Sequence, residues 1–188
     1  MASWSSIVIA SSLVALAAAT VGCSARAGLP SFGVVPDFQL IDQTGAEFDS
    51  KAKLDHHTWV ADFIYTTCPG PCPRMTSQMH SVEKALEGVD VRFVSFTVDP
   101  KNDTPPVLNE YARHFDADPR KWFFLTGAED KLQSLSKNVF LLGDTGGNLE
   151  HSTRFVLIDK ESRVRGYYLT EEADAIPRLI ADAKMLAK

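Results

Sequence analysis

The feature that most constrains this chain is Cys68-Pro69-Gly70-Pro71-Cys72-Pro73, set between two segments of opposite periodicity. Before it, Thr58–Tyr65 (TWVADFIY) reads as a mostly buried strand; after it, Met75 to Leu86 repeats at helical spacing. If the helix begins at the motif, both sulfurs lie on one helix face, one turn apart. Pro71 and Pro73 fit there, because first-turn amides have no intrahelical acceptor. Those unpaired amides and the helix dipole stabilise a thiolate, lowering a cysteine pKa below its free value of about 8.5. Such a pair can close a disulfide, the Cα separation falling near the permitted range of about 4.4–6.8 Å. It can also chelate one soft ion, with Cu(I) favoured. A purely structural disulfide is the weaker reading, since a bridge across three residues removes little unfolded-state entropy.

The N-terminus places this chemistry outside the cytosol. Residues 1–25 contain no charged side chain, and 7–21 (IVIASSLVALAAATV) is apolar or small throughout. Fifteen such residues suit a secretory segment better than a bilayer span of about 20. Thr20-Val21-Gly22-Cys23 resembles a bacterial lipoprotein signal, although Thr20 replaces the usual Leu and no basic residue precedes the segment. Lipidation at Cys23, an uncleaved membrane anchor and plain cleavage are the three alternatives, and all export the chain. Beyond residue 23 only Cys68 and Cys72 remain. In an oxidising compartment such a pair is oxidised, metallated or actively kept reduced.

Residues 1–23 are thus read as signal or anchor, 24–34 as a Gly- and Pro-containing linker, and 35–188 as one domain. Strands are expected over 35–42, with a hairpin return at Glu47-Phe48, and over 58–65, 89–98, 122–125, 153–159 and 164–169. Helices are expected from Met75 to Leu86, over 106–115 after the polar-cap signal Asp103-Thr104-Pro105-Pro106, over 129–137 and over 171–188. This order predicts an α/β fold of thioredoxin-like type, a central mixed β-sheet flanked by helices. The formal charge of −5 removes non-specific nucleic-acid binding as a default.

A two-thiolate copper site usually gains a third ligand. His151 is the best candidate, in a Gly-rich loop (144–151) feeding the 153–159 strand. In thioredoxin-like folds this loop lies against the cysteine motif, where ordinary oxidoreductases carry a proline. Here the sequence is His151-Ser152-Thr153. Asp99, before Pro100, is either a turn former or a carboxylate orienting His151. Met75 and Met79 share a helix face with Cys72 but read as core filler. His56 and His57 follow a charged stretch and read as solvated.

At these residues the chain resembles the Sco/SenC family, copper-binding thioredoxin-like proteins of cytochrome c oxidase assembly. The matching motifs are Phe63 to Pro69 with Cys72-Pro73; Val98-Asp99-Pro100 with Asp103-Thr104-Pro105; Trp122 with Leu125-Thr126-Gly127; and His151-Ser152 ahead of Val156 to Asp159. The resemblance spans about residues 34–170 and implies that Cys68, Cys72 and His151 bind copper, Cu(I) or Cu(II), with Asp99 near the site. Many members carry an acidic residue between the cysteines, where this chain has Pro69-Gly70-Pro71, and a basic one at Asn102. The implied role is a metallochaperone in the bacterial cell envelope, on the periplasmic face and membrane-anchored. Its implied partners are the dinuclear copper centre (CuA) of oxidase subunit II or another copper acceptor, and other periplasmic copper chaperones. The alternative is a dedicated thiol–disulfide reductase acting through a redox-active Cys68–Cys72 pair. A peroxidase of peroxiredoxin type fits less well, because Tyr65 stands where that family places Thr.

Overall fold

The computed structural model describes residue 1, residues 28–142 and residues 152–188. Its core element is β3 (Thr58–Ile64), buried at every position because strands flank it and helices cover both faces. Val60 and Ile64 point to one core, and Trp59, Ala61 and Phe63 to the other. β3 runs parallel to β4 (Val91–Thr97), which runs parallel to β5 (Trp122–Thr126). The alternation read in residues 89–98 therefore divides two cores, Val91 and Phe93 against Val94 and Phe96, not core from solvent.

Antiparallel strands complete the sheet. β1 (Gln39–Asp42) and β2 (Glu47–Asp49) lie beyond β5; β6 (Arg154–Ile158) and β7 (Val164–Leu169) lie beyond β3. The order is β2-β1-β5-β4-β3-β6-β7, the expected mixed sheet. On one face pack α2 (Pro71–Ala85), α3 (Pro105–His114) and α5 (Ala175–Leu186). On the other lie α1 (Ser50–Leu54), which the sequence pattern missed, and α4 (Glu129–Ser134). α1 is short and amphipathic over barely one turn; Asp49 caps it by accepting from the Lys51 amide. The expected 129–137 helix changes to a π-helical turn over Leu135–Val139, which delivers Phe140 into the aromatic cluster of Trp59, Phe63 and Phe96.

Residues 29–35, read as the end of the linker and the first domain residue, lie along β7. Phe32 and Val35 donate backbone bonds to Val164 and Ser162, and Val164 donates to Gly33. Arg165 donates to the carbonyls of Leu29 and Pro30 while Asp159, 3% exposed, holds the same guanidinium at 2.7 Å. Charge-assisted bonds of this kind contribute about 1.5–3 kcal/mol. Arg165→Ala should therefore speed amide exchange at Phe32 and Val35 by about tenfold or more and leave β3 amides unchanged. Equal acceleration in β3 would show that the tether is part of the global fold.

Candidate metal centre

β3 ends at Ile64, and a tight turn through Tyr65, Thr66 and Thr67 returns the chain to Cys68, whose amide donates to the Tyr65 carbonyl at 3.3 Å. Pro69 and Gly70 follow, and α2 starts at Pro71 with Gly70 as its N-cap. Cys72 is thus in the first helical turn and Cys68 outside it, which corrects the picture of two sulfurs on one helix face. The helix starts late because Gly70 (φ −124°, ψ −111°) is not helical. The sulfurs still meet. The Cys68 sulfur bonds with the backbone N–H groups of Cys72 and Gly70, with the Cys72 thiol and with the Tyr65 hydroxyl. These amides belong to the end of α2 that has no intrahelical acceptors, as the sequence implied.

The two sulfurs differ in character. Neither is in a disulfide; Cys68 is 6% exposed and Cys72 0%. Burial alone would push the Cys68 thiol up, but the hydrogen bonds to its sulfur bring it below the ordinary thiol range. Burial drives Cys72 far above that range, and the charges of Cys68 and Asp62 push in the same direction. Cys68 is therefore the sulfur that ionises more readily, and Cys72 the one that resists losing its proton.

Three further residues, Tyr65, Asp62 and Asp103, shape the site without having been read in the sequence as site residues. Tyr65 places its hydroxyl on Cys68, which raises the phenol's own pKa. Asp62 lies between Val60 and Ile64 on the face covered by α2, with 0% exposure and the Ser95 hydroxyl beside its carboxyl. Burial pushes its carboxyl up to about 7, the nearby Ser95 hydroxyl offsetting only part of the effect. An acid inside the apolar run TWVADFIY was the readable signal for it. Asp103, in the helix-start run 103–106, points inward to Thr66 and Thr97, and Thr104, directly before Pro105, takes the N-cap position of α3 as that run implied. Asp99 accepts from the Asn102 side chain at 2.7 Å and shapes the turn after β4, within electrostatic reach of Tyr65.

Met75 and Met79 are fully buried in the core. His57 pairs with Asp90 at 2.7 Å just before Thr58, at the opposite end of β3 from the cysteines, and His56 is exposed. Cys23 and His151 lie outside the described residues. Among the described residues, no three His, Cys, Asp or Glu side chains group as a metal site. The start of β6 is nevertheless fixed near the cysteines. Ala61 pairs with Val156 in antiparallel register, so β6 begins at the end of β3 that leads to Cys68. Thr170 bonds the Thr153 carbonyl through its amide and its hydroxyl, at 2.9 and 2.8 Å. Its own carbonyl accepts from Gln78 and Arg74 on the first turns of α2.

Comparison with known proteins agrees with this geometry. The SCO1/SenC family model matches residues 28–188. A SCO1/SenC family lipoprotein from Bacillus anthracis is 36% identical, with a TM-score of 0.76 over 82% of this chain and 95% of its own. BsSco, described as a member of the Sco family of cytochrome c oxidase assembly proteins with a disulfide switch, is 29% identical, with a TM-score of 0.74 over 85% and 95%. Copper-bound yeast Sco1 is 26% identical, with a TM-score of 0.64 over 84% and 95%. The chain belongs to the SCO1/SenC family and has its thioredoxin-like α/β fold.

The buried Asp62 gives a pH signature. Folded, its carboxyl keeps a proton to about pH 7; unfolded, it loses it near pH 4. The folded state binds more protons in that window, so this group's contribution to stability falls as pH rises through it. Relative to wild type, Asp62→Asn should be near neutral at pH 4 and stabilising by up to about 4 kcal/mol at pH 8 in urea unfolding. A difference that stays constant with pH would contradict the assignment.

Proposed function

We propose that this SCO1/SenC chain is a copper metallochaperone, holding Cu(I), and Cu(II) in its oxidised cargo form, through Cys68 and Cys72 with His151 as third ligand. The observation that carries this reading is the meeting of the Cys68 sulfur with the Cys72 thiol at the free amides of α2, beside the start of β6. Thr153 is tied to α2 through Thr170, so the strand that follows His151 in the sequence starts at the end of the sheet that carries the cysteines. Two soft thiolates and an imidazole suit Cu(I) and leave its coordination number low. A partner thiolate can then join before a resident ligand leaves, which is the requirement for transfer. Copper bound to yeast Sco1 and the oxidase-assembly role of BsSco support extending this to delivery into the CuA centre of oxidase subunit II, with other periplasmic copper chaperones as donors.

The proposed location is the periplasmic face of the cell envelope, residues 1–23 serving as signal or anchor and Cys23 as the lipidation site. The lipoprotein relative supports this; among the described residues no helix is long and apolar enough to cross a membrane. Asp99 is proposed to orient His151.

The unequal sulfurs favour a second reading, thiol–disulfide reduction of a partner. The Cys68 thiolate would attack the partner disulfide and form a mixed disulfide. Cys72, after giving up its proton, would attack Cys68 and release the partner as a dithiol.

Anaerobic Cu(I) competition on the reduced full chain separates the two. The copper reading expects one tight site, lost in Cys68→Ser and Cys72→Ser and weakened by tenfold or more in His151→Ala. Reduction alone expects indifference to His151→Ala and a trapped mixed disulfide in Cys72→Ala. Absence of tight binding in wild type would refute the metallochaperone reading.

A further inference from the structure

Asp103 is 0% exposed, and no Lys, Arg or His pairs with it among the described residues. An unpaired buried carboxylate costs several kcal/mol unless donors satisfy it. The donors come from two separate strand ends. The Thr66 amide donates to both oxygens at 3.3 and 3.2 Å, the Thr66 hydroxyl to Oδ1 at 2.5 Å, and the Thr97 hydroxyl to Oδ2 at 2.5 Å. Thr97 in turn accepts from the Asp99 amide, and the Asp103 amide donates to the Asp99 carbonyl at 2.9 Å. The carboxylate therefore ties the turn leading to Cys68 to the end of β4 and to the loop before α3. It caps no helix, that position belonging to Thr104.

We infer that Asp103 is a positioning residue for the dithiol: its buried carboxylate grips Thr66 and fixes the Thr66–Cys68 turn so that the Cys68 sulfur stays against Cys72 and the α2 amides. Thr66 is two residues from Cys68, and the interval contains neither proline nor helix to hold the turn otherwise. The three turn residues after β3 are half-buried or exposed, so packing holds them weakly. Without the carboxylate the turn samples more conformations, and the two sulfurs meet less often. Disulfide closure and metal chelation both depend on that meeting, so both weaken together. This inference rests on Cys68 and Cys72 being the functional pair, whichever of the two proposed chemistries they perform.

The test uses the full chain with Asp103→Asn, Thr66→Val and Thr66→Ser, which retains the hydroxyl. Equilibration with glutathione, read at the Cys68–Cys72 pair by mass spectrometry, should show Asp103→Asn and Thr66→Val shifted about tenfold toward the dithiol, roughly 30 mV. Thr66→Ser should stay within about twofold of wild type, rescuing the effect of Thr66→Val. Cu(I) affinity should fall about tenfold in the first two variants. Variants that lose stability in urea yet keep the wild-type disulfide equilibrium would overturn the inference, leaving Asp103 a purely structural residue. If Asp103→Asn does not fold, Thr66→Val alone decides. Wild-type protein without copper affinity would sink the copper reading only, since the glutathione equilibrium still tests Asp103.

Discussion

Everything at the functional end of this protein depends on one junction, where a fully buried strand stops and a helix begins three residues after a cysteine. The break leaves helix amides without intrahelical partners, and the Cys68 sulfur occupies the space they face. A thiolate is stabilised there by hydrogen bonds that a neutral thiol uses poorly, so among the described residues it is amides and hydroxyl or thiol donors that activate the first sulfur. Had the helix started at Cys68, the same amides would have been directed at its backbone and the sulfurs would have stood side by side on the helix surface. Displacing the first cysteine into the turn is what allows its sulfur to lie over the helix end.

The same junction is an electrostatic conflict. Cys72 and Asp62 are both acids placed where water cannot reach them, on the face of the sheet covered by α2. Each resists ionisation, and each makes ionisation of the other harder. A cation that brings positive charge to the sulfurs relieves the conflict at Cys72, and so does a disulfide, which removes the ionisable proton altogether. The reduced, metal-free dithiol keeps both buried acids protonated, which is consistent with the proposed exchange of one ligand. In the proposed chemistry the same asymmetry would have Cys68 meet an incoming group first and Cys72 complete the site.

Much of this was legible in the residues. The strand–cysteine–helix order and the alternation of strands with helices implied the mixed sheet; the strand at 164–169 falls where periodicity put it, the one read over 58–65 ends one residue early, and the helix read from Met75 to Leu86 starts four residues sooner, at Pro71. Sequence pattern failed where local signals were ambiguous. The Asp103-Thr104-Pro105 run correctly marks the start of α3, with Thr104 as its N-cap, but only the proximity of Thr66 and Thr97 reveals that Asp103 turns inward. Ser50–Leu54 is too short to show a helical period, and the π-turn at 135–139 depends on seating Phe140 among distant aromatics. The inward Asp62 was visible as an acid in an apolar run, but its effect on Cys72 requires knowing which face α2 covers.

The most direct measurement is X-ray absorption at the copper edge of the full chain loaded anaerobically with one equivalent of Cu(I). A first shell of two sulfurs and one nitrogen, with the nitrogen lost in His151→Ala, is the result expected from Cys68, Cys72 and His151 gripping the metal together. A shell of sulfur alone, or one that His151→Ala leaves unchanged, would contradict it.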